Sequence, residues 1–258
     1  MTDPTDALVD RPERAIAFES VFNFRDLGGY PAVGGSTVGW RRLFRADGLH
    51  RLGPEDGEQF RSLRIATVID LRTDAEVVER GRFPADLAEV GYHHLPMFDV
   101  EPDWSLGDAE APGFLADRYV DMLAAGRTTV ATSLAMLARS ASYPLVFHCA
   151  AGKDRTGILA AVVLGLLGVP DDVIVEDYAV SHEAMAKMVT WMAANQPGLA
   201  LDPSRYPSSI IEARPETMAR FLAHVRQSHG SIDGLARDLG VEQGAIDAIR
   251  DILLEPPG

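Results

Sequence analysis

The chain has 258 residues, 47% of them hydrophobic, enough for a sizeable core in one large domain or two small ones. Its 24 Lys and Arg are outnumbered by 38 Asp and Glu, and the formal charge of −14 argues against a nucleic-acid partner, which needs a basic face. It also means that an anionic ligand must be drawn in by a local positive basin, and the single cysteine, Cys149, excludes an intramolecular disulfide and fits a reducing compartment.

The opening stretch MTDPTDALVDRPER is acidic and polar, so it is not a Sec-type signal peptide. Residues 1–15 read as a disordered lead-in to a single domain over 16–258. Val21 to Phe24 reads as a short strand before a Gly28-Gly29 turn, with Asn23, Arg25 and Asp26 as turn formers or solvated charge. Residues 31–39 form a Gly-rich hairpin-like loop and Trp40 to Arg45 a strand. Pro54 to Leu63 is an amphipathic helix with proline near its first turn. Ala66 to Leu71 is a strand leading into Asp70-Leu71-Arg72. The carboxyl end of such a strand borders the ligand crevice of an open α/β sheet. Asp70 and Arg72 are therefore either site residues or an ion pair anchoring the next turn.

Tyr92 to Leu95 gives a further strand, followed by a polar loop to about residue 112 that carries Asp99, Asp103, Asp108 and Glu110. For Asp103, Asp108 and Glu110 such a run of acids reads as solvated surface, while Asp99 follows the strand most closely. Residues 112–125 and 127–141 have apolar positions at helical spacing. Beyond Pro170, one helix is expected from Asp171 to Asn195, with Met185, Met188, Trp191 and Met192 on related faces. A Pro- and Ser-containing stretch, 197–209, ends it. Helices over 215–227, 231–239 and 242–254 close the chain. The run 158–169 is almost wholly apolar but too short to span a bilayer.

The stretch 145–157 carries the chemistry. Leu145 to His148 reads as a buried strand and residues 158–169 as a buried helix, so Cys149 to Gly157 is a strand-to-helix loop. A tight loop at a helix N-terminus turns its backbone N–H groups inward and cradles a dianion. Gly152 and the small Ala150 and Ala151 keep that cradle open, and Arg155, which follows Cys149 after five intervening residues, forks onto two phosphate oxygens. A thiol held in a positive cradle is stabilised as the thiolate, the nucleophilic form. A buried core cysteine is the bland alternative, but His148, Gly152, Lys153, Arg155 and Thr156 are too polar a set for a core turn. A P-loop NTPase is a weaker reading still: Gly152-Lys153 is followed by Asp154 and not by Ser or Thr, and no glycine stands five residues before Gly152.

His148-Cys149-x-x-Gly152-Lys153-Asp154-Arg155-Thr156-Gly157 resembles the phosphate loop of the cysteine-dependent tyrosine phosphatases, in the variant of the atypical bacterial branch typified by secreted tyrosine/lipid phosphatases of mycobacteria and Listeria. Asn23-Phe24-Arg25-Asp26-Leu27-Gly28-Gly29-Tyr30 is similar to that branch's N-terminal motif, and Arg42 to Asp47 and Val68 to Arg72 also resemble family segments. The resemblance implies a central, largely parallel sheet flanked by helices, with a helical lid over about 171–214. It implies hydrolysis of phosphate monoesters through a cysteinyl-phosphate: phosphotyrosine first, with phosphoserine/threonine or phosphoinositides as further substrates and inorganic phosphate as product. Cys149 is then the nucleophile, Arg155 the phosphate clamp, Thr156 a donor to the departing sulfur and His148 a support for the loop. The acid is Asp154, inside the loop, with Asp99 on the preceding loop as the alternative. Ala150, Ala151, Gly152 and Lys153 line the cradle, Lys153 adding charge at its rim or standing as a solvated lysine. Arg25, Asp70 and Arg72 support it.

No cofactor or metal is needed for this route, and His50, His93, His94, His182, His224 and His229 lack ligand spacing. A rhodanese-like sulfurtransferase also presents a loop cysteine but has little use for Arg155 with Asp154 beside it. A catalytically dead phosphate-binding module is the other rival. The cytoplasm is the default location, with export lacking a visible signal as the family's alternative.

Overall fold

Short strands that alternate between two apolar faces build the centre of the protein. The computed structural model describes residues 13–99, 111, 113–198 and 211–257. Five strands, β1 (Arg25–Asp26), β3 (Leu43–Ala46), β4 (Thr67–Asp70), β5 (Gly91–His94) and β6 (Leu145–His148), form a sheet in the order β1-β3-β6-β4-β5. Only the β1–β3 pair is antiparallel. A separate ribbon pairs β2 (Thr37–Val38) with β7 (Leu254–Glu255) near the end of the chain.

Side chains alternate along each strand. Leu43, Ile69, Leu145 and Phe147 enter the larger core, while Phe44, Ala46, Val68 and Val146 enter a smaller one on the opposite face. The register sets Ala46 and Asp70 both opposite His148, so β3, β6 and β4 end at one level. The residues that follow them, Asp47, Cys149 and Leu71-Arg72, therefore emerge along one edge. In a parallel sheet that is the edge where a ligand crevice opens.

Ten α-helices are described: α1 (Gly57–Ser62), α2 (Asp74–Arg80), α3 (Phe114–Ala125), α4 (Arg127–Leu137), α5 (Asp154–Leu166), α6 (Asp171–Ala179), α7 (Ser181–Asn195), α8 (Pro215–His229), α9 (Ile232–Asp238) and α10 (Gln243–Leu253). Helix α5 is buried almost all round, as an apolar helix must be. It packs against α3, α6 and α9. Among the described residues no helix is long and apolar enough to cross a membrane.

The α/β architecture is the expected one, with four local corrections. The first strand is Arg25–Asp26 and not Val21–Phe24, because Arg25 and Asp26 pair with Arg45 and Phe44 of β3. The lead-in is shorter than expected. Residues 1–12 lie outside the described residues, but Arg14 is buried, donates from Nη1 to the carbonyls of Asp26 (3.0 Å) and Gly28 (2.6 Å), and stacks 3.8 Å over Tyr30. Helix α2 was not anticipated. The expected helix 171–195 is two helices: Arg25 Nη2 donates to the carbonyl of Asp177 (2.7 Å), the acceptor that residue 181 would use in a continuous helix. A side chain inserted into the i→i−4 ladder breaks it.

Candidate active site

Cys149 follows β6 directly and is fully buried. The next three carbonyls are each held from outside the loop. Gly48 N–H donates to Ala150 O (3.0 Å), Asn23 Nδ2 to Ala151 O (3.0 Å) and Arg45 Nη2 to Gly152 O (2.8 Å). In a trans peptide the N–H points opposite to the C=O, so the amides of Ala151, Gly152 and Lys153 are turned to the inside. The first amides of α5, which have no partner within their helix, add to them. Gly152 is required here. Its φ is +66°, and a Cβ would meet the carbonyl oxygen of Ala46 at 2.5 Å.

Two of the three clamps, Asn23 and Arg45, are themselves locked by one buried carboxylate. Asp177 of α6 accepts from Arg25 Nε (2.9 Å), Arg45 Nη1 (2.5 Å) and the Tyr30 hydroxyl (3.0 Å). Arg25 in turn holds the Asn23 side chain. Burial would raise the Asp177 carboxyl, but the Arg25 and Arg45 guanidinium groups outweigh it and hold it well below the usual carboxylate range. Asp47 at the end of β3 fixes the same segment, accepting from the amides of Phe22 (3.1 Å) and Asn23 (3.0 Å) and pairing with Arg51.

Arg155 lies at the mouth of the cradle. Its Nη1 and Nη2 fork onto Glu76 Oε2 (2.5 Å) and Oε1 (2.9 Å), and its guanidinium sits 5.2 Å from the Phe98 ring centre. Glu76 was missed in the sequence although a signal was there. Thr73-Asp74-Ala75-Glu76 is a capping box that starts α2: Thr73 Oγ1 accepts from Glu76 N (3.2 Å) and Glu76 Oε2 from Thr73 N (2.8 Å). One carboxylate caps a helix and anchors the arginine. Burial pushes it up, yet the Arg155 fork and the Thr73 amide bring it down to about 2.

Asp154 is the first residue of α5 and partly exposed. Its Oδ1 accepts from the Tyr119 hydroxyl (2.6 Å) and lies 3.4 Å from Lys153 Nζ. Lys153 is neither at the rim nor solvated. It is fully buried, with Nζ donating to the carbonyl of Glu212 (3.3 Å), because the chain entering α8 passes over it.

A family model described as "Tyrosine phosphatase family" matches residues 16–255. The chain belongs to the tyrosine phosphatase family. Its relatives include the "Triple specificity protein phosphatase PtpB" of Mycobacterium tuberculosis, 28% identical over 273 aligned positions, with 90% of this chain and 96% of that protein covered. A putative tyrosine-protein phosphatase of Cupriavidus necator is 29% identical over 229 positions, with 86% and 83% covered. The crystal structure of P. aeruginosa TpbA aligns at a TM-score of 0.36 and 15% identity, over 89% of this chain and 98% of that one.

Beside the Cys149 loop, Asp70 and Arg72 form the local ion pair, and Asp70 also approaches His148. Arg72 donates from Nε and Nη2 to Asp70 (2.9 and 2.6 Å), from Nη2 to Gly81 O (2.9 Å) and from Nη1 to His50 Nδ1 (3.1 Å). Burial and the nearby Arg72 and Arg51 charges push His50 down to about 2, so it is neutral and accepts. Asp70 Oδ2 also accepts from Tyr92 (2.7 Å) and lies 3.6 Å from His148 Nε2. Burial would raise the Asp70 carboxyl, but His148, the Arg72 fork and Tyr92 hold it below the carboxylate range. Burial lowers His148, whose Nδ1 lies 3.1 Å from Cys149 O.

Thr156 is fully buried, and its hydroxyl has no hydrogen-bond partner among the described residues; the expected bond to the Cys149 sulfur is not formed. Asp99 is exposed and next to Phe98, while Asp103, Asp108 and Glu110 lie outside the described residues. Among the described residues, no group of three or more His, Cys, Asp or Glu could hold a metal ion.

Helix α7 packs its methionines against the loop at Ala151. Met185, Met188 and Met192 form a small cluster with Phe22, Ala151 and Trp191, separate from both main cores. Helix α6 behaves differently, since Asp177 and Tyr178 are built into the interior. Of the segment expected as a lid, residues 171–179 are scaffold and residues 199–210 lie outside the described residues.

Proposed function

We propose that this phosphatase cleaves phosphotyrosine through a cysteinyl-phosphate on Cys149, and that its phosphate loop, with an aspartate before the arginine, puts it in the atypical bacterial branch of the family. The observation that carries this reading is the triple clamp on the carbonyls of Ala150, Ala151 and Gly152, which turns the loop amides onto one point beside Cys149. The Cys149 thiolate attacks phosphorus. The ester oxygen leaves with a proton from Asp154, and Arg155 and the loop amides stabilise the equatorial oxygens. A water then attacks the cysteinyl-phosphate, gives its proton to Asp154, and releases inorganic phosphate and the thiolate. The Thr156 hydroxyl, unpaired in the resting site, is available to the sulfur in that second step. With Oδ1 of Asp154 engaged by Tyr119 and Lys153, Oδ2 carries the transferred proton. Asp99, beside the Phe98 ring that meets Arg155, is the alternative donor.

Residues 16–258 act as one domain, with α7 as the cover of the site. The relative named a triple-specificity phosphatase supports a range wider than phosphotyrosine, extending to phosphoserine/threonine and phosphoinositides. Metal-free phosphate release from matched phosphotyrosine, phosphoserine/threonine and phosphoinositide substrates tests both points. Turnover is expected in the wild type and not in Cys149→Ser, with phosphotyrosine ranked first; activity that survives the substitution would remove Cys149 as nucleophile.

A further inference from the structure

Two tyrosines lie end to end beneath Asp154 in an otherwise apolar part of the core. Tyr119 of α3 is fully buried, with its ring in edge contact with Tyr178 (6.0 Å between centres) and Phe221 (6.1 Å). Phenylalanine would fill the same space, so the hydroxyl needs a reason, and a buried hydroxyl is costly unless paired. Its oxygen lies 2.6 Å from Asp154 Oδ1 and 2.7 Å from the Tyr178 hydroxyl. A hydroxyl has one proton to give. Tyr119 gives it to Asp154, so the Tyr178 proton must point at the Tyr119 oxygen. The chain runs one way, Tyr178 to Tyr119 to Asp154.

We propose that Tyr119 is a positioning residue for the proton donor of the reaction, holding Asp154 by Oδ1 so that Oδ2 faces the leaving oxygen, with Tyr178 fixing the direction in which Tyr119 donates. The inference rests on Asp154 being the acid, as proposed above. Without the phenol, a flexible aspartate at the first position of α5 has the Lys153 ammonium within reach at 3.4 Å, and folding onto it would take it off the leaving group. Burial raises both phenols far above their ordinary value, with the Asp154 charge adding to it, so they remain donors throughout the working range. Tyr178 is also the residue after Asp177, which holds Arg45, and through Arg25 the Asn23 side chain, on the loop carbonyls. One turn of α6 thus sets both the shape of the cradle and the aim of the acid.

The test compares wild type, Tyr119→Phe, Asp154→Asn and the double variant on a series of aryl phosphates, from p-nitrophenyl phosphate to phenyl phosphate and phosphotyrosine. General acids contribute roughly 10²–10⁴-fold. Tyr119→Phe is expected to lower kcat about tenfold or more on the poor leaving groups, to change it little on p-nitrophenyl phosphate, and to leave KM nearly unchanged. In the Asp154→Asn background the same substitution is expected to have no further effect. A loss that is equal across the series, or that adds fully to Asp154→Asn, would mean that Tyr119 acts only through packing and would overturn the inference. If Asp154→Asn itself shows no dependence on the leaving group, the acid assignment falls first and takes the inference with it. Should Tyr119→Phe melt far below wild type, Tyr178→Phe serves in its place, with the same expected pattern at smaller amplitude and the same refuting outcomes.

Discussion

Replacing Glu76 by glutamine removes one charge and little else: glutamine also completes a capping box, so α2 keeps its start. What is lost is the ionic half of the fork to Arg155. The carboxyl, ordinarily near 4.5, is held at about 2, and at ~1.4 kcal/mol per pH unit that corresponds to about 3 kcal/mol. The side chain is only 9% exposed, so little of this is screened by solvent. Breaking a buried ion pair costs a similar amount, roughly 3–5 kcal/mol. Because the folded carboxyl lies below its unfolded value, the stabilisation is complete above about pH 5 and is lost as the pH falls towards 2. Urea unfolding of wild type and Glu76→Gln at pH 7 should therefore differ by about 3 kcal/mol, and the difference should shrink steadily at pH 4 and 3. In a domain of this size that is a Tm lower by roughly 10 °C at pH 7. Inorganic phosphate, as a competitive inhibitor, should bind at least about tenfold more weakly once Arg155 loses its anchor. Equal stability at pH 7 and pH 3 with unchanged phosphate inhibition would refute the anchoring role.

Asp177→Asn leaves Arg25 and Arg45 facing a neutral amide inside the protein. It should cost about 3–5 kcal/mol in thermal or urea unfolding and speed hydrogen exchange at the Ala151 to Lys153 amides; unchanged exchange there would mean that the loop does not depend on this hub. The Asp177 carboxyl lies below its ordinary value in the folded state, so its contribution is present at neutral pH and lost in acid. For the cover, amides of α7 should exchange faster than those of α6 and slow when phosphate or vanadate is added. Equal protection of the two helices, with no response to the anions, would count against a cover that opens.

The cradle was legible in the sequence because its parts are contiguous: a buried strand, small residues and an arginine within thirteen positions of chain, 145–157, run straight into a buried helix. Asp70 and Arg72 were readable as a pair for the same reason, and the place of Asp70 beside His148 follows from the register that brings β4 beside β6. Glu76 carried a local signal, the capping box with Thr73, that marks a helix start but says nothing of Arg155. Asp177, Tyr119 and Tyr178 carried none, since an acid or tyrosine on an amphipathic helix looks the same whether it meets water or a buried guanidinium. Lys153 was misread for the complementary reason. A lysine in a loop is normally solvated, and only the passage of the chain at Glu212 over it makes it interior.

The clamps on the loop span long stretches of chain: 128 residues from Asn23 to Ala151, 107 from Arg45 to Gly152, and 132 from Arg45 to the carboxylate of Asp177 that locks it. Contacts so distant in sequence form late, after the entropy of closing those loops has been met. During synthesis the segment around Cys149 leaves the ribosome before Asp177 does, and until then Arg25 and Arg45 lack the carboxylate that locks them in place. A nascent or truncated chain therefore bears Cys149 without the clamped loop carbonyls around it, and the assembled cradle appears only with the complete fold.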